Sequence, residues 1–394
     1  MKRQRFIAAA TAAAAGGVAS RVRAQIIPEQ PLQNPQQYLQ QLTIAVNVTL
    51  SGPLQKYGQE VVKGVQAAVD ETNRFNAPIS HVWGLRPLDD RNDPGLAASN
   101  ANVAAADFTV IGIVGNLTAP MTLAALSRYA NVGFPVIVPT VTADAVTKRG
   151  YHNVYRLPAK DSSSGRLFAN AALEGKRGVT AIAIAFDGDY GYEVASGFVL
   201  QARTDRHPAE VLLFPLDKTD PAQAARTVLD RSPGYVFLAG KTAELGPIAS
   251  ALRLAGYTGD FGAADGFYNS ETIATYATTL AGAYVASPMP PIDRVASAVQ
   301  LVTDFEREVS QITTQSAYGY AAAQLIVAAT QRGNATSRTS LLRSLQEGGT
   351  FTTLVGQFAF NISGDPLIPN IYLYTVGTEG FKFARPAIRT GFVF

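Results

Sequence analysis

The chain of 394 residues contains no cysteine, which excludes disulfides, thiolate metal sites and cysteine nucleophiles. Histidine is scarce: His81, His152 and His207 stand far apart, in no metal-ligand spacing. Each reads as a surface or structural residue. No GxGxxG or GxxxxGKS/T segment opens a helix, so the common nucleotide-phosphate cradles are missing. A GxSxG nucleophile elbow is missing too. There is no basic stripe of the kind that nucleic acid selects, and beyond the N-terminus no segment is apolar enough to span a bilayer. Asp89, Asp90 and Asp93 lie close enough to suggest a cation site, but the stretch ends at Pro94 and reads as a solvated turn. No metal and no cofactor is expected.

What is present is ordinary globular material. Apolar residues make up 47% and charged residues 16%, enough to bury large cores without disulfides. The length suggests two domains. The first residues have a different character. Lys2, Arg3 and Arg5 form a basic head, residues 6–19 are an uncharged Ala-rich run, and Val22-Arg23-Ala24 places small residues where a signal peptidase reads. This is the layout of a secretory signal over 1–24, with cleavage before Gln25 and a periplasmic destination. The mild hydrophobicity suits twin-arginine export, but Arg3-Gln4-Arg5-Phe6 lacks adjacent arginines. Removing its five basic residues (Lys2, Arg3, Arg5, Arg21, Arg23) takes the net charge from +3 to −2. Residues 25–41, rich in Pro and Gln, read as an extended lead-in.

From residue 42 the pattern alternates. Short apolar runs at 43–50, 109–114, 135–139, 179–186, 235–239 and 261–264 read as strands. Segments with helical spacing lie between them, at 58–74, 120–131, 192–203 and 243–255. Such alternation predicts an α/β fold, with parallel sheets covered by helices on both faces. Ligands of open α/β sheets bind beyond the carboxyl ends of the strands, where helix N-termini offer free N–H groups. Turn residues mark these junctions: Ser51-Gly52-Pro53, Gly115-Asn116-Leu117-Thr118-Ala119-Pro120, Thr140-Val141-Thr142 and Asp187-Gly188-Asp189-Tyr190-Gly191.

Leu50-Ser51-Gly52-Pro53, Tyr57-Gly58-Gln59-Glu60 and Ala67-Ala68-Val69-Asp70-Glu71 come first in an ordered series. Gly112-Ile113-Val114-Gly115, Pro135-Val136-Ile137-Val138-Pro139-Thr140-Val141-Thr142, Asn153-Val154-Tyr155-Arg156 and Asp189-Tyr190-Gly191 continue it. Ala255-Gly256 and Tyr318-Gly319-Tyr320 complete it. The series resembles the type I periplasmic binding proteins of the branched-chain amino acid transport group, from about residue 42 to residue 381. The resemblance implies two Rossmann-like lobes joined by three crossover strands near 156–160, 286–290 and 364–370. Lobe 1 would be 42–159 with 288–365, lobe 2 would be 160–287 with 366–385, and 386–394 a tail. Lys160-Asp161-Ser162-Ser163 and residues 287–291 have connector composition.

The resemblance also implies a site. The loop before Pro120 corresponds to the segment that holds the ligand carboxylate; here Ala119 stands where serine is common, leaving the backbone N–H, with Thr118 as a substitute hydroxyl. Thr142, through hydroxyl and N–H, and Thr140, through its carbonyl, correspond to contacts with the ligand's polar head. Thr142 could instead merely cap the helix that follows, and the loop before Pro120 could be a plain helix-capping loop. Asp265 corresponds to the acid that pairs with the ligand ammonium; a lone Asp after a strand is otherwise a turn residue. Tyr57 and Tyr190 fall in the two cleft walls, where an apolar face with a polar tip is useful, or else they pack at the rim. Phe267, Tyr268 and Tyr318 are weaker candidates. Lys241 departs from the pattern: facing the cleft it would welcome a second carboxylate or repel a cation, and otherwise it pairs with Asp265 or Glu244 or is solvated at a helix start.

Three functions follow. The first is the substrate-binding protein of an ABC importer, a monomer that captures an amino acid or related carboxylate and hands it to a membrane permease, with no turnover. The second is a sensor module using the same trap. The third is an exported α/β enzyme, with Asp187, Asp189 and Asp265 as acid–base candidates.

Overall fold

The computed structural model describes residues 40–76, 81–291 and 312–388. The leader at 1–24, the lead-in up to residue 39 and the last residues of the tail lie outside them. The described chain runs β1 (Gln40–Val48), α1 (Gln55–Asn76), β2 (His81–Asp89), α2 (Pro94–Ala105), β3 (Val110–Gly115), α3 (Ala119–Asn131), β4 (Val136–Val138), α4 (Ala145–Lys148) and β5 (Val154–Arg156). It continues through α5 (Asp161–Ala172), β6 (Ala181–Phe186), α6 (Asp189–Thr204), β7 (Ala209–Phe214), α7 (Pro221–Leu229), β8 (Tyr235–Leu238), α8 (Thr242–Leu254), β9 (Asp260–Ala263), α9 (Ser270–Tyr276) and β10 (Tyr284–Ser287). The last part holds α10 (Thr314–Gly333), α11 (Arg338–Gln346), a small hairpin of β11 (Phe351–Thr353) and β12 (Gly356–Phe358), then β13 (Tyr372–Val376) and β14 (Phe381–Pro386).

The strands form two large sheets. The first is all parallel, in the order β2-β1-β3-β4-β5. The second has the order β14-β13-β10-β9-β8-β6-β7, parallel from β10 to β7, with β13 and β14 added antiparallel at one edge. Read from β7, the second sheet repeats the 2-1-3-4-5 order of the first. The chain passes between the sheets after β5, after β10 and before β13.

Helices cover both faces of each sheet, so central strands are mostly apolar on both faces. Leu42, Ile44, Val46 and Val48 of β1 pack towards α1 and α10, while Ala45 packs towards α2 and α3. In β6 the faces differ in size: Ala181, Ala183 and Ala185 face α5 and α6, and Ile182 and Ile184 face α7 and α8. The space above those alanines is filled by Phe168, Phe198 and Phe237, with the last two stacked at 4.4 Å. The α5–α6 pairing is closer still. A Cβ on Gly165 would stand 1.9 Å from the Val194 carbonyl oxygen, and one on Gly197 2.1 Å from that of Ser162. Only glycine permits this approach, and it sets the N-terminal ends of the two helices side by side.

The alternation legible in the sequence omits β2, α2, β7 and α7, the short or connector-like α4, β5, α5 and α9, and every element from β10 onward. Strand β2 is an edge strand with Gly84, Arg86 and Pro87 inside it and only Trp83 fully covered. Edge strands accept proline because one side of the ladder is unpaired. Among the described residues no helix is long and apolar enough to cross a membrane.

Candidate functional site

Both sheets change direction of winding beside their first strand, between β1 and β3 and between β6 and β8. A crevice opens at such a point beyond the carboxyl ends of the strands. All eight residues singled out from the sequence follow strands of these sheets: Tyr57 after β1, Thr118 and Ala119 after β3, Thr140 and Thr142 after β4, Tyr190 after β6, Lys241 after β8 and Asp265 after β9.

On the first sheet's side, a buried polar network fixes the loops. Asn47 donates to Tyr129 Oη (2.6 Å) and accepts from Asn100 (2.8 Å), and Tyr129 donates to Asn116 (3.2 Å). Asn116 and Thr49 both donate to Asp90, at 3.2 and 2.7 Å. Asp90 is therefore a buried anchor and not part of a solvated turn, while Asp93 caps α2 through the Leu96 N–H. Above the network Thr118 is extended (φ −126°, ψ 158°) and precedes Ala119, the first residue of α3. The Thr118 hydroxyl does not cap the helix; its Oγ1 is buried and bonds to no described residue. The Ala119 N–H is among those that α3 leaves without an intrahelical acceptor, and Pro120 beside it has no N–H to leave. Thr140 Oγ1 donates to the Leu117 carbonyl (3.3 Å), tying two loops together. Tyr57 stands in the first turn of α1 and is 47% exposed.

Thr142 does not cap a helix, since Asp144 is the residue before α4. Its carbonyl accepts from the Asp161 N–H (3.0 Å) and from Arg156 Nη1 (2.9 Å), and its side chain hydrogen-bonds the Asp161 carboxyl. Asp161 was legible only as connector. It is in fact the first residue of α5, 2% exposed, and only 157–160 link the sheets there. An acidic residue ahead of Ser-Ser is a helix-start signal that could have marked it.

On the second sheet's side, Tyr190 Oη donates to Asp265 Oδ1 (2.5 Å) and accepts from the Gly266 N–H (3.0 Å). Asp265 opens a short 3₁₀ turn after β9. Phe267 is fully buried in the core, and Tyr268 packs on Tyr374 and Phe381 at 4.7 and 4.6 Å. Tyr318, buried in α10, donates to the Pro288 carbonyl (2.9 Å) on the second crossover. These three serve packing and the hinge region. Lys241 precedes α8 with its side chain 67% exposed; Nζ and the backbone N–H reach Glu244 at 3.1 and 3.3 Å. Asp187 is exposed just after β6, and the side chain of Asp189 lies outside what is described.

Burial dominates the electrostatics of the carboxylates here. Burial pushes the Asp161 carboxyl up to about 8; the nearby charges of Asp265 and Asp144 add to this, and the Thr142 bond and Arg156 oppose it. Burial also raises Asp265, against the pull of the Tyr190 hydroxyl and backbone donors. Tyr190 is held well above the ordinary tyrosine range by burial and then by the Asp265 charge. Asp144 is lowered despite its burial, because Ser162 (N at 3.0 Å, Oγ at 2.7 Å) and Lys148 (3.3 Å) hold its charged form.

Beside these carboxylates the crossovers are locked. Arg156, fully buried, donates Nε and Nη2 to Asp365 (3.0 and 2.5 Å), Nη2 to Thr147 (2.6 Å) and Nη1 to the Ala143 carbonyl (2.6 Å). Lys160 adds a second cation at 3.6 Å from Asp365. The Arg156 charge is thus answered by Asp365, and its field also favours the charged form of Asp161.

Comparison with known proteins agrees with this architecture. The sequence profile of the periplasmic binding protein family matches residues 41–381. The Leu/Ile/Val-binding protein BraC3 of Rhizobium johnstonii is 26% identical over 341 residues, covering 84% of this chain and 91% of that protein. Among solved structures, the fold is similar to a branched-chain amino acid transporter substrate-binding protein of Streptococcus pneumoniae in complex with isoleucine. The TM-score is 0.71 at 23% identity, over 88% of this chain and all of that one. It is also similar to an ABC transporter solute-binding protein of R. palustris in complex with benzoate, with TM-score 0.70 at 17% identity, over 88% and 96% of the two chains. These matches bear out the resemblance read from the ordered junctions and the type I fold it implied. With two like-ordered sheets, three crossovers and a profile match along most of its length, the chain belongs to the periplasmic binding protein family.

Proposed function

We propose that the protein is the extracytoplasmic substrate-binding component of an ABC importer, and that it holds an amino acid or related small carboxylate between its lobes. The observation that carries this reading is the unlike chemistry of the two walls. One offers the α3 N-terminus and the unpartnered Thr118 hydroxyl, a setting for a carboxylate. The other offers Asp265, oriented by Tyr190, a setting for an ammonium. In this reading Tyr57 lies at the rim, Thr140 and Thr142 support the polar head, and Lys241 stands at the lip. The lobes are 42–159 with 288–365 and 160–287 with 366–385. Export with cleavage before Gln25, action as a single chain and delivery to a membrane permease complete the proposal. Binding without turnover separates it from an enzyme.

Isothermal titration of the chain from Gln25 against the protein amino acids, benzoate and short aliphatic acids tests it. The expected result is one ligand per chain, recovered chemically unchanged. Conversion of a bound compound to product would refute the reading. A second reading, an amine-free carboxylate as ligand, is favoured by the likeness to the benzoate-binding protein. It predicts benzoate or an aliphatic acid as the tightest binder in the same panel.

A further inference from the structure

Helix α5 opens without a cap of its own. Lys160 stands at its N-cap position, and a lysine side chain has no acceptor to offer the first N–H groups. Those groups are met from the first sheet's side instead. The Asp161 N–H donates to the Thr142 carbonyl (3.0 Å). The Ser162 N–H and Oγ donate to Asp144 Oδ1 and Oδ2, at 3.0 and 2.7 Å. Asp144 is the residue before α4, yet its side chain does not cap that helix. It is buried, and it caps a helix that packs on the other sheet.

One turn further on, at the end of α4, Lys148 extends the same contact. Its Nζ lies 3.3 Å from Asp144 and 3.7 Å from Glu193. Glu193 belongs to α6 and follows Tyr190 by three residues, so the two share a helix face beyond the end of β6. Helices α5 and α6 form one body, because Gly165 and Gly197 bring their backbones into contact. The two tethers to that body differ in position. Ser162 lies just past the crossover at 157–160, close to the axis about which the lobes would turn. Glu193 is remote from the crossovers in sequence, so its distance from Lys148 follows the lobe angle.

We propose that Asp144 and Lys148 form an interlobe clasp: Asp144 is a fixed pivot on α5, and the Lys148–Glu193 pair is an angle-dependent tie that favours the closed cleft before any ligand binds. This rests on the reading of the chain as two lobes that close on a small carboxylate. Both partners of the tie stand beyond the carboxyl ends of strands, one on each side of the crevice, so opening separates them. A charge pair lost on opening shifts the population towards closure. Neither residue is assigned to the ligand, so the shift serves every ligand alike, and apparent affinity follows the closed fraction. Both side chains are partly exposed, so the bias is modest and screened by salt.

The experiment reads the lobe angle by single-molecule energy transfer. The chain has no cysteine, so Asn102→Cys on α2 and Gln223→Cys on α7, both at exposed positions, place one dye on each lobe. Glu193→Gln keeps the side chain's size, removes its charge and leaves Lys148 on Asp144. Without ligand, at about 20 mM salt, it should lower the ratio of closed to open molecules about two- to fivefold. At about 0.5 M salt the variant and the wild type should coincide. In a Lys148→Met background, Glu193→Gln should have no further effect. Asp144→Ala, which takes both acceptors from Ser162, should broaden the distribution at either salt concentration. Titration at low salt with L-leucine, L-glutamate and benzoate should show one common loss in Glu193→Gln for whichever of them bind.

A distribution that Glu193→Gln leaves unchanged at low salt would overturn the tie. An effect that persists in the Lys148→Met background would do the same, by assigning it to another partner of Glu193. A loss confined to one ligand would also overturn it, because Glu193 would then be a ligand contact. A distribution as narrow in Asp144→Ala as in the wild type would remove the pivot. Failure of all three probes to bind would count against the proposed function, and the ligand-free distributions would still decide the clasp.

Discussion

Beyond β3 and β4 lie Thr118, Ala119, Thr140 and Thr142, and beyond β6 and β9 lie Tyr190 and Asp265. The frames beneath are alike: both sheets run in the order 2-1-3-4-5, and both place helix N-termini beyond their strand ends. Those N-termini alone would make two positive walls, each suited to an anion. The first wall keeps that character, because hydroxyls and N–H groups add no charge. The second carries a partly buried acid, Asp265, hydrogen-bonded to Tyr190. The fold thus supplies two equivalent platforms, and in the proposed reading one or two side chains per loop decide which end of an amino acid each would receive. The acidic side depends on charge and the neutral side on single hydrogen bonds, so substitutions on the two sides should differ in size.

The largest effect is expected on the acidic side. Asp265→Asn removes the charge but leaves an oxygen for the Tyr190 hydroxyl, which now reaches Asp265 at 2.5 Å. Folding should change little, and amino-acid affinity measured by titration should fall by roughly 100-fold, the scale of a lost charge-assisted hydrogen bond. An amine-free acid should bind as well or better, since the like charge that opposes it is gone. Equal losses for both would mean that the two walls are not divided by charge.

A smaller effect is expected across the cleft. Thr118→Val keeps the branched shape and removes the buried Oγ1, which bonds to no described residue. If that hydroxyl serves the ligand carboxylate, affinity should fall by about 3- to 10-fold, as for one neutral hydrogen bond. The unfolding midpoint of the protein alone should hold or rise slightly, because a buried polar atom without a partner costs stability. A lower midpoint with unchanged affinity would make Thr118 a structural residue. The opposed signs for binding and stability are what distinguish a ligand contact from a cap.

How much of this was legible in the sequence varies with burial. Strands β1, β3, β6 and β8 are covered on both faces and read as apolar runs. Strand β2 is an edge strand interrupted by Gly84, Arg86 and Pro87, and its signal is lost in its own polarity. The loop residues Thr118, Thr142, Tyr190 and Asp265 were singled out through the resemblance, whose junctions could be matched because each follows a readable strand. Asp161 and Asp90 were not, because each sits in a polar string, Lys160-Asp161-Ser162-Ser163 or Asp89-Asp90-Arg91-Asn92-Asp93, that looks solvated. Their burial depends on donors distant in sequence, such as Thr49 and Asn116 for Asp90. Composition in a short window cannot report such partners.

The smallest effect is expected at Lys241, the residue whose charge most troubled a simple amino-acid assignment. Its side chain is 67% exposed and its ammonium lies 3.1 Å from Glu244 in the first turn of α8. An exposed i,i+3 pair contributes a few tenths of a kcal/mol, and solvent screens its field at the ligand. Lys241→Ala should therefore change the affinity for L-leucine and L-glutamate by less than about twofold each, with stability nearly unchanged. A tenfold loss confined to glutamate would place the ammonium in the cleft, where it would neutralise part of the acidic side. The division between a neutral wall and an acidic one would then fail, because the second wall would hold its own cation beside Asp265.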